Sequence, residues 1–109
     1  MEAILVLTAL PKLAQAEALA RALVEAREAA CVSRAGPLRS VYRWTETVEE
    51  AEEYLLLIKT RLDCYTAVES RIRAMHPYTV PEVISIRLDH IEPRYLAWLN
   101  ESLAPGSRA

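Results

Sequence analysis

His76-Pro77-Tyr78-Thr79-Val80-Pro81-Glu82 joins two apolar segments of different periodicity, and how it is read decides the fold. Each proline fixes its own φ and biases the preceding residue toward extended backbone, so His76 and Val80 are held out of helix. Upstream, Tyr65, Val68, Ile72 and Met75 recur at helical spacing. Downstream, Val83 to Leu88 reads as a strand. The heptapeptide is therefore a stiff joint between a helix and a strand. It is also a candidate site, since an imidazole binds metal or carries a proton near neutral pH, and the Glu82 carboxylate can ligate or pair with it. The structural alternative is a connector whose polar groups satisfy buried backbone.

Working outward, Asp63 is expected to cap that helix at its N-terminus, with Cys64 at its start. Before it, Tyr54-Leu55-Leu56-Leu57-Ile58-Lys59 is a firm strand. The acidic run Glu49-Glu50-Ala51-Glu52-Glu53 ahead of it suits a helix as well as a protruding, charge-protected strand arm. Leu38, Ser40, Tyr42 and Trp44 alternate with Arg39, Val41 and Arg43 as in an edge strand, after a turn or bulge at Gly36-Pro37. Thr45 to Thr47 makes the hairpin. Nearer the N-terminus, Ile4 to Leu7 is a branched apolar run suited to a strand buried on both faces. Pro11 opens an alanine-rich helix striped by Ala16, Leu19, Leu23, Ala26 and Ala30, which is expected to end near Cys31. Pro93 starts a short last helix that buries Leu96, Leu99 and Leu103.

The order strand, helix, strand, strand, helix, strand predicts an α+β, ferredoxin-like βαββαβ sandwich with an extra C-terminal helix. It forms one domain over residues 1–103, followed by a frayed tail over 104–109. Both long helices fall on one sheet face. Covering the other face predicts association between copies through their sheets, with Tyr42, Trp44 and Trp98 as interface anchors.

Composition narrows the function classes. A chain of 109 residues with formal net charge −2 and well-mixed charges lacks the basic face of a nucleic-acid binder. The first apolar run is too short to span a membrane and has no basic segment before it. These features predict a cytoplasmic protein without nucleic-acid or membrane partners. Cys31 and Cys64 are far apart, which removes zinc-ribbon, iron–sulfur and thioredoxin-like motifs and leaves small buried thiols as their expected role.

Ala29-Ala30-Cys31-Val32, Tyr42-Arg43-Trp44, Leu57-Ile58-Lys59-Thr60, His76-Pro77-Tyr78 with Pro81-Glu82, and Tyr95-Leu96-x-Trp98-Leu99 together resemble the CutA divalent-ion tolerance family. The resemblance runs from the first strand to the last helix. It implies a ferredoxin-like homotrimer that acts in the response to metal ions without being an enzyme, as a metal-binding protein or signalling scaffold, with copper or another divalent cation as ligand. Matched positions are Cys31, Tyr42, Trp44, Lys59, His76, Tyr78, Pro81, Glu82, Tyr95 and Trp98. Some members carry a cysteine and a second histidine implicated in copper binding where this chain has Thr8 and Met75. That leaves His76 and Glu82 as the expected metal ligands. Met75, which completes a helical stripe, is assigned to the core. The family's usual hairpin glycine is replaced by Glu46, and since a glycine at such a turn usually serves positive φ, the turn is expected to widen or change type.

A second function class is a small-molecule or anion sensor with Lys59, Tyr78 and Tyr42 lining an inter-subunit cleft and Arg43 nearby, as in other trimeric ferredoxin-like regulators. His90 is a further candidate from the loop after the last strand. Hydrolysis by His76 and Glu82 lacks a paired nucleophile. RNA binding through the sheet lacks the aromatic stacking pattern.

Overall fold

The computed structural model describes residues 2–105. Eight residues, Ala3–Leu10, form β1, which sits inside the sheet because even and odd positions are both apolar. Ile4, Val6, Thr8 and Leu10 are fully buried, whereas Leu5 and Leu7 on the opposite face are only half-buried. Burial on both faces therefore holds for only part of the strand within one chain.

Leu13–Glu25 is α1. It ends well before Cys31. Arg27 takes the left-handed conformation at φ 60°, its N–H bonds to the carbonyl of Val24, and the N–H of Glu28 bonds to that of Leu23. This is a Schellman closure with arginine where glycine is usual, so no glycine marked the stop. Ala30 then donates to the Lys59 carbonyl at 2.9 Å, already in sheet register.

Cys31–Trp44 is β2 and Thr47–Arg61 is β3, paired antiparallel along their lengths. The acidic run is strand, and Arg39 pairs with Glu50 across the ladder at 3.3 Å. Gly36-Pro37 forms the bulge between the paired residues Ala35 and Leu38. At the tip the positive φ, 56°, falls on Thr45, and Glu46 is spared it. Both Thr45 and Thr47 donate through their hydroxyls to the Trp44 carbonyl. The hairpin projects from a body measuring 44 × 26 × 24 Å overall, with Val41, Trp44 and Val48 more than half exposed.

A 3₁₀ turn over Leu62–Cys64 leads into α2, Tyr65–Met75. Asp63 does not cap the helix: its carboxylate takes the Arg61 guanidinium at 2.9 Å, and Cys64 occupies the cap position without a side-chain bond. The last strand, Ile84–Arg87, is β4 and is shorter than the expected Val83–Leu88. Pro93–Ser102 is α3, where Glu92 accepts from the backbone N–H groups of Arg94 and Tyr95.

The sheet order is β2-β3-β1-β4, with every neighbouring pair antiparallel, which is the ferredoxin-like arrangement. One core unites Ile4, Val6, Leu10, Leu56 and Ile58 with Leu19 and Leu23 of α1 and Val68 and Ile72 of α2. A smaller cluster places Leu99 and Leu103 against Ala3, Ala30 and Cys64, so α3 covers one end of the opposite face. The rest of that face carries Leu5, Leu7, Leu55 and Leu57, half-buried, with Ile84 and Ile86 about half exposed. Ala104 is held by backbone bonding to Arg27 and by the Arg61 side chain, so the expected tail is anchored at its first residue. Residues 106–109 of that tail lie outside the described residues.

Candidate functional site at the helix-to-strand joint

His76 closes α2 with its N–H on the Ile72 carbonyl, and at φ −84°, ψ 137° it has the extended backbone that Pro77 demands. Its ring is buried against the end of β1. Nε2 lies 2.8 Å from the Ala9 carbonyl, and Nδ1 accepts the Tyr78 backbone N–H at 3.1 Å. An amide can only donate, so Nδ1 carries no proton and Nε2 donates to Ala9. Because β4 stops opposite Leu7, the imidazole takes the place that a longer strand would fill beside Ala9.

Tyr78 stacks obliquely on that ring, with centroids 4.8 Å apart, and donates its hydroxyl to Glu53 Oε2 at 2.9 Å. Glu53 is buried, on the register position opposite Leu38 beside the bulge. The Tyr78 phenol is pushed up to about 12, first by burial of its hydroxyl end, then by the bond to Glu53 and its charge, with Tyr42 adding to the rise. The joint is thereby tied both to β1 and to the base of the arm.

This geometry carries a pH prediction. The unfolded phenol titrates near pH ~10. Its contribution to stability is therefore complete below that pH and is lost as pH rises through the folded value of about 12. Tyr78→Phe should flatten the alkaline limb of the stability curve relative to the parent, measured by urea denaturation between about pH 9.5 and 12. Parallel alkaline limbs would show that the phenol's titration is not coupled to folding.

The other expected residues do not all meet here. Glu82 is exposed and makes none of the hydrogen bonds that hold the joint. Among the described residues no group of three or more histidine, cysteine, aspartate or glutamate side chains is placed to hold a metal ion. Thr8 is fully buried, its hydroxyl without a hydrogen-bond partner. Met75 is 37 % exposed at the rim and does not fill the core, because it is the last residue of the helix and the chain turns extended at His76. His90 is almost wholly exposed, its ring 3.0 Å from the Asp89 carboxylate.

Lys59 stands apart from Tyr78 in a different cluster. Its ammonium donates to Ser33 Oγ at 3.0 Å and lies 3.8 Å from Cys31 Sγ, which is half-buried and polar in its surroundings, unlike the buried apolar thiol expected. Trp44 and Tyr42 are exposed on the arm, and Trp98 is exposed on α3 with Tyr95 against it at 5.3 Å. Glu53 and Ser33 had no sequence signal. Ser33 meets Lys59 through strand register and Glu53 meets Tyr78 where the joint folds over the base of the arm, across separations of 26 and 25 residues.

The family described as CutA1 divalent ion tolerance protein matches residues 4–102. The divalent-cation tolerance protein CutA of Thermus thermophilus is 41 % identical over 94 % of this chain and 98 % of its own length. A CutA homologue of Xenopus laevis is 42 % identical over 79 % of this chain, which spans 57 % of that longer protein. The crystal structure of CutA from Xylella fastidiosa superposes with a TM-score of 0.92 at 36 % identity, covering 95 % of this chain and all of the other. With the strand order, the His-Pro joint and the paired arm all in place along the matched length, the chain belongs to the CutA1 divalent ion tolerance family.

Proposed function

We propose that the protein serves divalent-cation tolerance without catalysing a reaction, as a cytoplasmic homotrimer joined through its sheets, with copper or another divalent cation engaged at the His76–Glu82 joint. The observation that carries this reading is the sheet face left open by the helices. Leu7, Leu57, Ile84 and Ile86 lie there in register, continuous with the face of the arm bearing Tyr42 and Trp44. An apolar patch of this kind on a small domain is the mark of an interaction surface. A self-complementary arrangement of copies would bury it. The two cysteines, free in the structure, accord with a reducing compartment.

At the joint, an incoming cation must compete either with the Tyr78 amide for Nδ1 or with the proton on Nε2. Affinity is therefore modest. Light scattering should give three times the chain mass of 12.3 kDa. Ile84→Asp with Ile86→Asp should convert that species to monomer. A parent protein that is already monomeric overturns the assembly reading. His76→Gln keeps an N–H donor for Ala9 while removing the imidazole, and should weaken copper binding by roughly ten-fold or more. Unchanged copper affinity in that variant moves the cation elsewhere.

A further inference from the structure

One face of β3 carries a charge pattern that a single chain leaves unsatisfied. Tyr54, Leu56 and Ile58 turn toward the helices and join the main core, so Glu53, Leu55, Leu57 and Lys59 share the open face. The stripe reads acid, leucine, leucine, base. Its ends are six residues apart, roughly 20 Å along an extended strand, and cannot meet within one chain.

Both ends are short of a counter-charge. Glu53 is 8 % exposed, and the group that meets its carboxylate is the neutral Tyr78 hydroxyl, on Oε2. Its second oxygen is not sealed in: among the described residues, the enclosed side-chain oxygens without a partner are Thr8 Oγ1 and Gln15 Oε1. Lys59 is half-buried and donates to Ser33 Oγ and, at 3.8 Å, toward Cys31 Sγ, both neutral groups of the neighbouring strand. Neither Glu53 nor Lys59 has an ion pair among the described residues, whereas Arg39, Arg61 and Arg87 of the same sheet each have a carboxylate. Charges drawn partly out of water without partners are costly, and each end of the stripe would offset the cost of the other.

We infer that this stripe is a contact between copies of the chain, in which Lys59 of one copy meets Glu53 of the next while Leu55 and Leu57 are buried between successive charge pairs. The inference rests on the assembly through sheets proposed above and adds the direction in which β3 lies within it. With β3 along a three-fold axis, residues of equal height would meet and each charge would face its own kind. With β3 across the axis, the basic end of each stripe reaches the acidic end of its neighbour. Each copy then gives one cation and takes one, so the ring closes at three with no charge left over.

Sedimentation of the full-length protein over a dilution series tests the contact. Lys59→Met and Glu53→Gln, the second keeping an acceptor for Tyr78, should each raise the dissociation midpoint of the assembly by about ten-fold or more in concentration. Since both remove the same contact, the double variant should assemble no more weakly than the single ones. Lys59→Glu should be monomeric where the parent is assembled, and adding Glu53→Lys to it should restore assembly, with each variant melting cooperatively. Parent-like assembly in Lys59→Met, or fully additive losses in the double variant, would overturn the contact and leave assembly through the sheets standing. A parent that stays monomeric at every concentration overturns that assembly and the contact with it.

Discussion

Metal-free protein carrying His76→Ala is expected to lose about 1–3 kcal/mol of stability, because the substitution leaves the Ala9 carbonyl buried without its donor. The Tyr78 amide loses its acceptor as well, and the space vacated by the ring adds a packing loss. The effect should reach beyond the joint. Val83, partly buried, packs against the main core and follows the same loop, so a slack His76 position is expected to loosen the start of β4. Urea denaturation in the presence of a chelator measures this directly, and His76→Gln should recover part of the loss. An unchanged midpoint for His76→Ala would mean that the imidazole contributes only to ligand binding.

Gly36→Ala should be comparably damaging, for a reason of space and backbone together. Gly36 sits at φ +129°, and a Cβ added there would lie 2.9 Å from the Glu53 carbonyl oxygen and 3.1 Å from the Leu38 nitrogen. Both are backbone atoms of the sheet, so neither swings aside as a flexible side chain would. A side chain held in such a conformation costs about 1–3 kcal/mol before any steric relief. Relief would come by shifting the bulge, which also displaces Glu53 from Tyr78. Thermal denaturation should show a lower midpoint for Gly36→Ala, and the Tyr78–Glu53 coupling in a double-mutant cycle should shrink. A parent-like midpoint would show that the bulge adjusts without penalty.

Much of the architecture was legible because strand and helix periods alternate cleanly along the chain. The sheet order follows from the two strand-helix-strand units, and the core face of β1 and β3 from alternation. The errors share a cause: local pattern was read where a tertiary partner decided. Ala26 and Ala30 prolong the α1 stripe, yet the chain leaves helix after Glu25 because Ala30 is claimed by the Lys59 carbonyl. Asp63 has the chemistry of a cap but is claimed by Arg61. At the hairpin tip the positive φ falls on Thr45, one residue before the position where the family usually has glycine.

The joint was visible as a motif, whereas its function in the fold was not. Two prolines around an imidazole indicate a shaped loop, but nothing in the sequence says that both ring nitrogens serve backbone groups, one of them 67 residues away. Glu53 looked like one more member of a solvated acidic run. The fold of the joint over the base of the arm, 25 residues on, is what brings Tyr78 to it.

The arm has a consequence for the order in which the sheet comes together. β2 and β3 are joined through Thr45-Glu46, so their ladder grows outward from a two-residue turn at almost no loop-closure entropy. The opposite edge requires residue 7 to find residue 84, with both long helices and the whole arm inside the closed loop. Closure entropy rises only slowly with length, but here it is met by a strand of four residues that has few ladder bonds to offset it. β4 is therefore expected to join last and open first. The imidazole beside Ala9 stands at that edge as the latch on the sheet's most costly seam.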